Sequence, residues 1–309
     1  MNNNLAFVFP GQGSQAVGML ADLGDNEVVK STFASASQAL GYDLWDLIQN
    51  DSEGKLNQTD YTQPALLTAS VAMFRAWLEK GGEMPSVLAG HSLGEYSALV
   101  CAGVITLEDA VKLVEKRGQY MQQAVPAGVG AMYAIIGLAD DAILAACEQG
   151  AGDEVVSAVN FNSPGQVVIA GNKAAVERAG ALCKEAGAKR ALPLPVSVPS
   201  HCALMQPAAD KLAADLANIE FNSPKVPVIN NVDVELVTDG AAIKDALIRQ
   251  LYSPVRWTES VEKMASMGVE QLVEAGPGKV LAGLVKRINK QLTCVSVNTT
   301  DTLNSALEG

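Results

Sequence analysis

The pentapeptide Gly90-His91-Ser92-Leu93-Gly94 follows the apolar run Val87-Leu88-Ala89 and precedes the helix-compatible run Glu95 to Ala102. Strand, tight turn and helix in that order make a nucleophile elbow. The serine is pushed out of the backbone path, and glycines on either side remove Cβ atoms that would clash there. A chain with 27 glycines can carry such a pentapeptide by chance; the strand before it and the helix after it are what give it chemical meaning. The Ser92 hydroxyl is expected to stand exposed above a sheet. The first amides of the helix point at the same spot, so the backbone N–H of Leu93 is a natural donor to an oxyanion. The fold class that follows is α/β, with a large α/β-hydrolase-like domain.

A serine is inert at neutral pH without a base, and imidazole is the side chain best suited to take its proton. The chain has two histidines. His91 adjoins the nucleophile inside the elbow, where consecutive side chains diverge. His201 remains, in Val196-Ser197-Val198-Pro199-Ser200-His201, a proline-marked segment that reads as a strand end or loop. Hydrolases with this elbow place an acid between serine and histidine. No acid stands out there: Asp109, Asp140, Asp141, Asp153 and Glu177 fall on stretches that read as solvated helix faces or turns. An uncharged carbonyl is then the expected partner of the imidazole.

The helix starting near Thr106, where Thr106 and Asp109 resemble a capping box, has an apolar stripe of Leu107, Ala110, Val111, Val114 and Met121. Arg117 falls on that stripe, whereas Lys112, Glu115 and Lys116 lie opposite. An inward arginine needs an anion. Either an acid of this protein pairs with it, or its planar fork grips a substrate carboxylate.

Leu5 to Phe9 reads as a buried strand ending in the loop Pro10-Gly11-Gln12-Gly13-Ser14-Gln15. Gly11 to Ala16 satisfies the Gly-x-Gly-x-x-Ala dinucleotide fingerprint, but the second strand with a ribose-binding acid is missing, since Glu27 to Leu40 reads as helix. A P-loop is excluded by the absence of Gly-Lys-Ser/Thr. The loop offers close-packed amides, and Gln12 is a candidate second oxyanion donor.

The middle of the chain reads as strand 131–136, helix 140–148, strands 155–159 and 166–169, helix 173–185 and strand 188–192. That β-α-β-β-α-β order is the ferredoxin-like pattern. It implies a small domain, residues 128–196, inserted into a discontinuous large domain of residues 1–127 and 197–309, with the active site in the cleft between them. Asn160 and Asn162, read as a turn before Ser163-Pro164-Gly165, either line that cleft or serve the turn.

A length of 309 residues with 49% hydrophobic content provides ample core. No apolar run approaches the ~18 residues of a membrane span, and no Lys or Arg precedes Lys30, so neither a membrane location nor a secretory signal is expected. Five cysteines without a C-x-x-C pair imply reduced thiols, no metal site and a cytoplasmic setting. Net charge −12 argues against nucleic acid as a partner.

Taken together, Phe9 to Gln15, Gly90 to Tyr96, Arg117, Val198 to His201, Gln250 and Glu274-Ala275-Gly276-Pro277-Gly278 closely resemble the bacterial malonyl-CoA:acyl carrier protein transacylases of type II fatty acid biosynthesis. The resemblance covers nearly the whole chain. It implies a serine at Ser92 that is acylated, His201 as its base and Arg117 holding the malonyl carboxylate. The backbone amides of Gln12 and Leu93 would form the oxyanion hole, and the carbonyl oxygen of Gln250 would orient His201. The implied partners are malonyl-CoA and acyl carrier protein, with no cofactor beyond the coenzyme A thioester that serves as substrate. An acidic carrier protein needs a local basic patch on so acidic an enzyme. Lys286, Arg287 and Lys290, on a helix after Gly278, and Lys189 with Arg190 are the candidates, against their plain reading as solvated faces. A serine hydrolase would share the elbow and base, and a dinucleotide-binding protein only the N-terminal loop.

Overall fold

In the computed structural model, which describes residues 2–196 and 198–308, two sheets organise the chain. It opens with β1 (Asn2–Phe9), followed by α1 (Glu27–Leu40), α2 (Leu44–Asn50) and α3 (Thr59–Glu79). The strand β2 (Pro85–Gly90) runs into α4 (Leu93–Cys101), and α5 (Leu107–Ala124) follows. A middle section holds β3 (Gly130–Ile136), α6 (Asp140–Ala151), β4 (Val156–Ser163), β5 (Gln166–Asn172), α7 (Lys173–Glu185) and β6 (Arg190–Pro193). The chain then passes through α8 (Gln206–Leu216), β7 (Val228–Ile229), α9 (Gly240–Gln250) and α10 (Trp257–Ser266). It ends with β8 (Gln271–Ala275), α11 (Val280–Ile288), β9 (Thr293–Val297) and α12 (Thr300–Glu308).

The first sheet is parallel throughout, in the order β7-β2-β1-β8-β9. Its central strand is apolar on both faces because helices cover both. Phe7 and Phe9 pack edge-on against Phe74 of α3, and Phe7 also against Trp77. Ala6 and Val8, pointing the other way, join Trp257, Val261 and Met264 of α10. Phe9 pairs with Gly90, so β1 and β2 end side by side. The glycine loop and the elbow therefore emerge together at the carboxyl edge of the sheet, where open α/β sheets bind ligands.

The second sheet is antiparallel, in the order β4-β5-β3-β6, and Ile135, Val167 and Ile169 face α6 and α7 through Ile143, Val176 and Ala179. Two backbone bonds tie it to the parallel sheet's side of the molecule: Phe161 N–H to Val255 O at 3.0 Å and Val255 N–H to Val159 O at 2.8 Å.

Three sequence expectations need correction. Asn160 and Asn162 lie in β4, which continues to Ser163 through two irregularities of register, and not in a turn. Those irregularities scramble the inside–outside alternation by which a strand is recognised. Strand β6 begins at Arg190 instead of Ala188, and Lys290 falls in a turn beyond the end of α11. Ser197, part of the proline-marked segment and the expected domain boundary, lies outside the described residues, as do Met1 and Gly309, the outer bounds of the expected large domain.

Candidate active site

Ser92 occupies the turn between β2 and α4 with φ 53° and ψ −107°, a left-handed conformation that a residue with a Cβ adopts only when its surroundings hold it there. Its neighbours must be glycine: a Cβ on Gly90 would stand 1.8 Å from the Gly94 carbonyl carbon, and one on Gly94 would stand 2.1 Å from Phe9 O. Ser92 Oγ lies 2.8 Å from His201 Nε2, and His201 Nδ1 lies 2.7 Å from the backbone oxygen of Gln250. A carbonyl oxygen can only accept, so Nδ1 carries the ring proton and Nε2 is left to accept from the serine hydroxyl. Among the described residues the ring's hydrogen-bond partners are Ser92 Oγ and this carbonyl, with no acid in contact.

His201 is 4% exposed, and burial, reinforced by the Arg117 charge, pushes its pKa down to about 3. The ring is neutral at physiological pH and ready to accept a proton. His91 turns away from the serine; its Nε2 donates to Asn162 Oδ1 at 2.8 Å, and burial lowers its pKa as well.

Arg117 is 1% exposed. Its Nη1 donates to Gln63 Oε1 at 2.8 Å, and its Nη2 to Gln250 Oε1 at 3.0 Å and to Ser92 Oγ at 3.3 Å. The guanidinium carbon sits 5.3 Å from the centre of the Tyr96 ring. No carboxylate within ion-pair distance neutralises it among the described residues, and Nε has no hydrogen-bond partner. Burial lowers its pKa, with the Glu95 charge acting in the opposite sense. Of the two sequence-based readings of Arg117, a direct ion pair with an acid of this protein is the one the geometry does not provide. A cation this deep, held by amide oxygens and touching the candidate nucleophile, is suited to an anionic ligand.

The backbone amides of Gln12 and Leu93 are not engaged by any hydrogen bond among the described residues. Leu93 is the first residue of α4, where amides have no partner within the helix. Gln12 is placed beside it because the glycine loop packs on the elbow, with a Cβ on Gly11 only 2.6 Å from His91 O. A cavity of about 210 Å³ opens over this group. It is lined by Gln12, Ser92, Leu93, Arg117 and His201 from one side and by Met132, Asn160 and Leu194 from the second sheet and its edge. Asn160 thus lines the cleft, and Asn162 serves His91 instead. Cys202 packs beneath the site, its thiol against Pro199 O, and all five cysteines are free.

Gln250 does more than present its carbonyl. Its side-chain Oε1 holds Arg117, and its Nε2 donates to Glu95 Oε2 at 2.8 Å and to Ser92 O at 3.1 Å. Glu95, 2% exposed, also accepts from Asn231 N–H at 3.0 Å, and burial pushes its pKa up to about 7 against the pull of these hydrogen bonds. The sequence reading includes Glu95 in the motif Gly90 to Tyr96 but gives it no role, and it does not single out Gln63 or Asn231. An acid in a first helical turn reads as a partner of the helix dipole, and Asn230-Asn231 as a turn. The signal that could have found Gln63 is its place as a polar residue just before the largely apolar stretch Ala65 to Phe74.

Comparison with known proteins adds four likenesses. The family model described as acyl transferase domain matches residues 6–303. The malonyl CoA-acyl carrier protein transacylase of Escherichia coli is 67% identical over 304 residues, 98% of either chain. Among solved structures, an acyl carrier protein S-malonyltransferase from Vibrio cholerae is 70% identical with a TM-score of 0.97, covering 98% of this chain and 99% of that one. A malonyl-transacylase solved in complex with its type II PKS acyl-carrier protein is 63% identical, also at 0.97, over 99% of both chains.

Proposed function

This chain belongs to the acyl transferase domain family, and we infer from that premise that it is a malonyl-CoA:acyl carrier protein transacylase. It moves a malonyl group from malonyl-CoA to acyl carrier protein and so supplies fatty acid biosynthesis. The observation that carries the reading to the level of the site is Arg117, a buried cation without a carboxylate of its own, 3.3 Å from Ser92 Oγ. Malonyl differs from acetyl by one carboxylate, and Arg117 is where that carboxylate would gain a bidentate partner.

The proposed mechanism is a ping-pong transfer. His201 Nε2 takes the Ser92 proton as Oγ bonds to the thioester carbonyl carbon, and the Gln12 and Leu93 amides hold the resulting oxyanion. The C–S bond then breaks, and the departing coenzyme A sulfur takes the proton from His201. In the second half the phosphopantetheine thiol of acyl carrier protein gives its proton to His201, its sulfur bonds to the malonyl ester carbonyl carbon, the C–Oγ bond breaks, and the proton returns from His201 to Ser92 Oγ. Each step is served by these side chains, so we propose that no cofactor is required beyond the thioester itself.

We read residues 128–196 as a ferredoxin-like insertion and residues 1–127 with 197–309 as an α/β-hydrolase-like domain. The order β-α-β-β-α-β with strands arranged β4-β5-β3-β6 supports the first, and the serine between β2 and α4 of a parallel sheet supports the second. Five free cysteines fit the cytoplasm, and no helix among the described residues is long and apolar enough to cross a membrane.

The direct test is intact-mass spectrometry after incubation with malonyl-CoA or acetyl-CoA, followed by addition of holo acyl carrier protein. The wild-type enzyme should gain one malonyl group and lose it to the carrier. Arg117→Ala should damage malonyl loading selectively. Removing one partner of a buried pair costs roughly 3–5 kcal/mol, or about 10²- to 10⁴-fold, and acetyl loading should be spared. Equal losses for both acyl groups would return Arg117 to a structural role.

For docking of the carrier we propose the exposed Lys286 and Arg287, in the last turn of α11, with Lys290 beyond it; Lys189 and Arg190 form a second exposed pair. Reversing Lys286 and Arg287 to glutamate should raise the KM for acyl carrier protein and flatten its dependence on salt, with loading from malonyl-CoA intact. Unchanged transfer at low salt would move the docking site elsewhere.

A further inference from the structure

The strain at Ser92 needs a restraint, and the structure supplies one from a distant part of the chain. Asn231 follows the short strand β7 and is fully buried. Its Oδ1 accepts from the Ser92 backbone N–H at 2.7 Å, and its Nδ2 donates to Gly90 O at 2.7 Å. One side-chain amide thereby spans the elbow, gripping the residue before His91 and the residue after it. The other main-chain ties of the turn, His91 N–H to Phe9 O, Gly94 N–H to His91 O and Glu95 N–H to Ser92 O, leave the serine amide to Asn231.

Asn231 is itself fixed at every polar group. Its N–H donates to Glu95 Oε2, and its carbonyl accepts from Arg256 N–H at 3.2 Å. The same Glu95 oxygen accepts from Gln250 Nε2, which also reaches Ser92 O. A single carboxylate oxygen thus anchors the two amides that hold Ser92 by its N–H and its carbonyl. The place of Asn231 demands an acceptor and a donor side by side, which an amide supplies at any pH.

We propose that Asn231 is a positioning residue for the nucleophile, clamping Gly90 and Ser92 so that the serine hydroxyl stays directed at His201 and beside Arg117. The proposal rests on Ser92 being the residue that is acylated. Without the clamp, the Ser92 amide and the Gly90 carbonyl lose their buried partners and the turn can relax from its left-handed conformation, carrying Oγ off line. Small misplacements of reacting atoms cost on the order of 10²-fold in rate.

The substitution Asn231→Asp separates positioning from mere packing. When ionised, the introduced carboxylate would set a second acceptor against Gly90 O, close to the Glu95 carboxylate; when protonated, it would reproduce the donor and acceptor of the amide. The rate of Ser92 malonylation should be followed by rapid quench and intact mass in full-length wild type, Asn231→Ala and Asn231→Asp, with circular dichroism reporting the folded fraction. Asn231→Ala should acylate on the order of 10²-fold more slowly, with the KM for malonyl-CoA little changed. The rate of Asn231→Asp relative to wild type should rise about tenfold or more from pH 8 to pH 6, as the new carboxyl gains its proton. If the alanine variant does not fold, the pH dependence of the aspartate ratio decides. An alanine variant acylating at the wild-type rate, or an aspartate ratio that is flat with pH, would overturn the clamp. Failure of the underlying mechanism shows separately, as absence of a Ser92 adduct in the wild-type enzyme.

Discussion

Ser92→Ala should abolish the malonyl adduct and lower transfer to acyl carrier protein by on the order of 10³-fold or more, the usual cost of removing a nucleophile. The variant should stay folded. The main-chain grip of Asn231 and Gln250 on residue 92 does not involve Oγ, and alanine faces the same backbone strain that serine does. What it loses is the hydrogen bond to His201 Nε2 and the contact with Arg117 Nη2. Malonyl-CoA should still bind, because Arg117 retains Gln63 and Gln250 as its supports. Isothermal titration with malonyl-CoA, alongside intact mass, checks both halves; a malonyl adduct appearing on another residue would refute the assignment.

His201→Ala should cost several orders of magnitude in loading, since His201 is the base hydrogen-bonded to Oγ among the described residues. The pH behaviour of the wild-type enzyme is a sharper test. Burial takes the imidazole from its ordinary 6.5 down to about 3, so the loading rate should hold level as pH falls through 6.5. An acid limb centred at 6.5 would mean that the ring is better solvated than the structure has it. Stability must follow the same titration. Below pH 6.5 the unfolded chain takes up a proton at residue 201 that the folded chain refuses, so folding weakens progressively as pH drops through that window. His91, also depressed, acts with the same sign. Glu95 acts oppositely: raised from 4.5 to about 7, it favours the folded state below 4.5 and loses that contribution as pH climbs to 7. Thermal midpoints of wild type and His201→Ala between about pH 5 and 8 should differ in slope accordingly.

How far the sequence went depends on where the determining contacts lie. Ser92 was legible because strand, glycine, serine, glycine and helix are contiguous, and the steric reason for the glycines is local. His201 followed by elimination in a chain with two histidines. Arg117 followed from helical periodicity, which needs one turn of sequence on either side. The second sheet was legible as an order of elements, yet β4 was cut short at its irregularities, and Asn160 and Asn162 were misplaced with it. The supports of the site left no comparable mark. Asn231 lies 139 residues from Ser92 and Gln250 lies 155 from Glu95, and the polar character of each residue has an equally good local explanation. Gln250 enters the sequence reading through its backbone, while its amide, which joins Arg117 to Glu95, becomes visible only when α9 is docked against α4 and α5.

The carbonyl that holds His201 has a bearing on which acceptor wins the acyl group. A carboxylate would stabilise a protonated imidazole with a full charge; Gln250 O offers only a dipole, and Arg117 nearby opposes the same protonation. In the proposed mechanism the base is therefore a reluctant one, sufficient for a thiol whose own pKa is near ~8.5 and poorly matched to water at ~15.7. Loading must still draw its proton from the Ser92 hydroxyl, whereas discharge of the ester to the carrier draws it from a thiol. At the discharge step of the proposed mechanism that reluctance weighs more on water than on the carrier's thiol, and so favours transfer over hydrolysis.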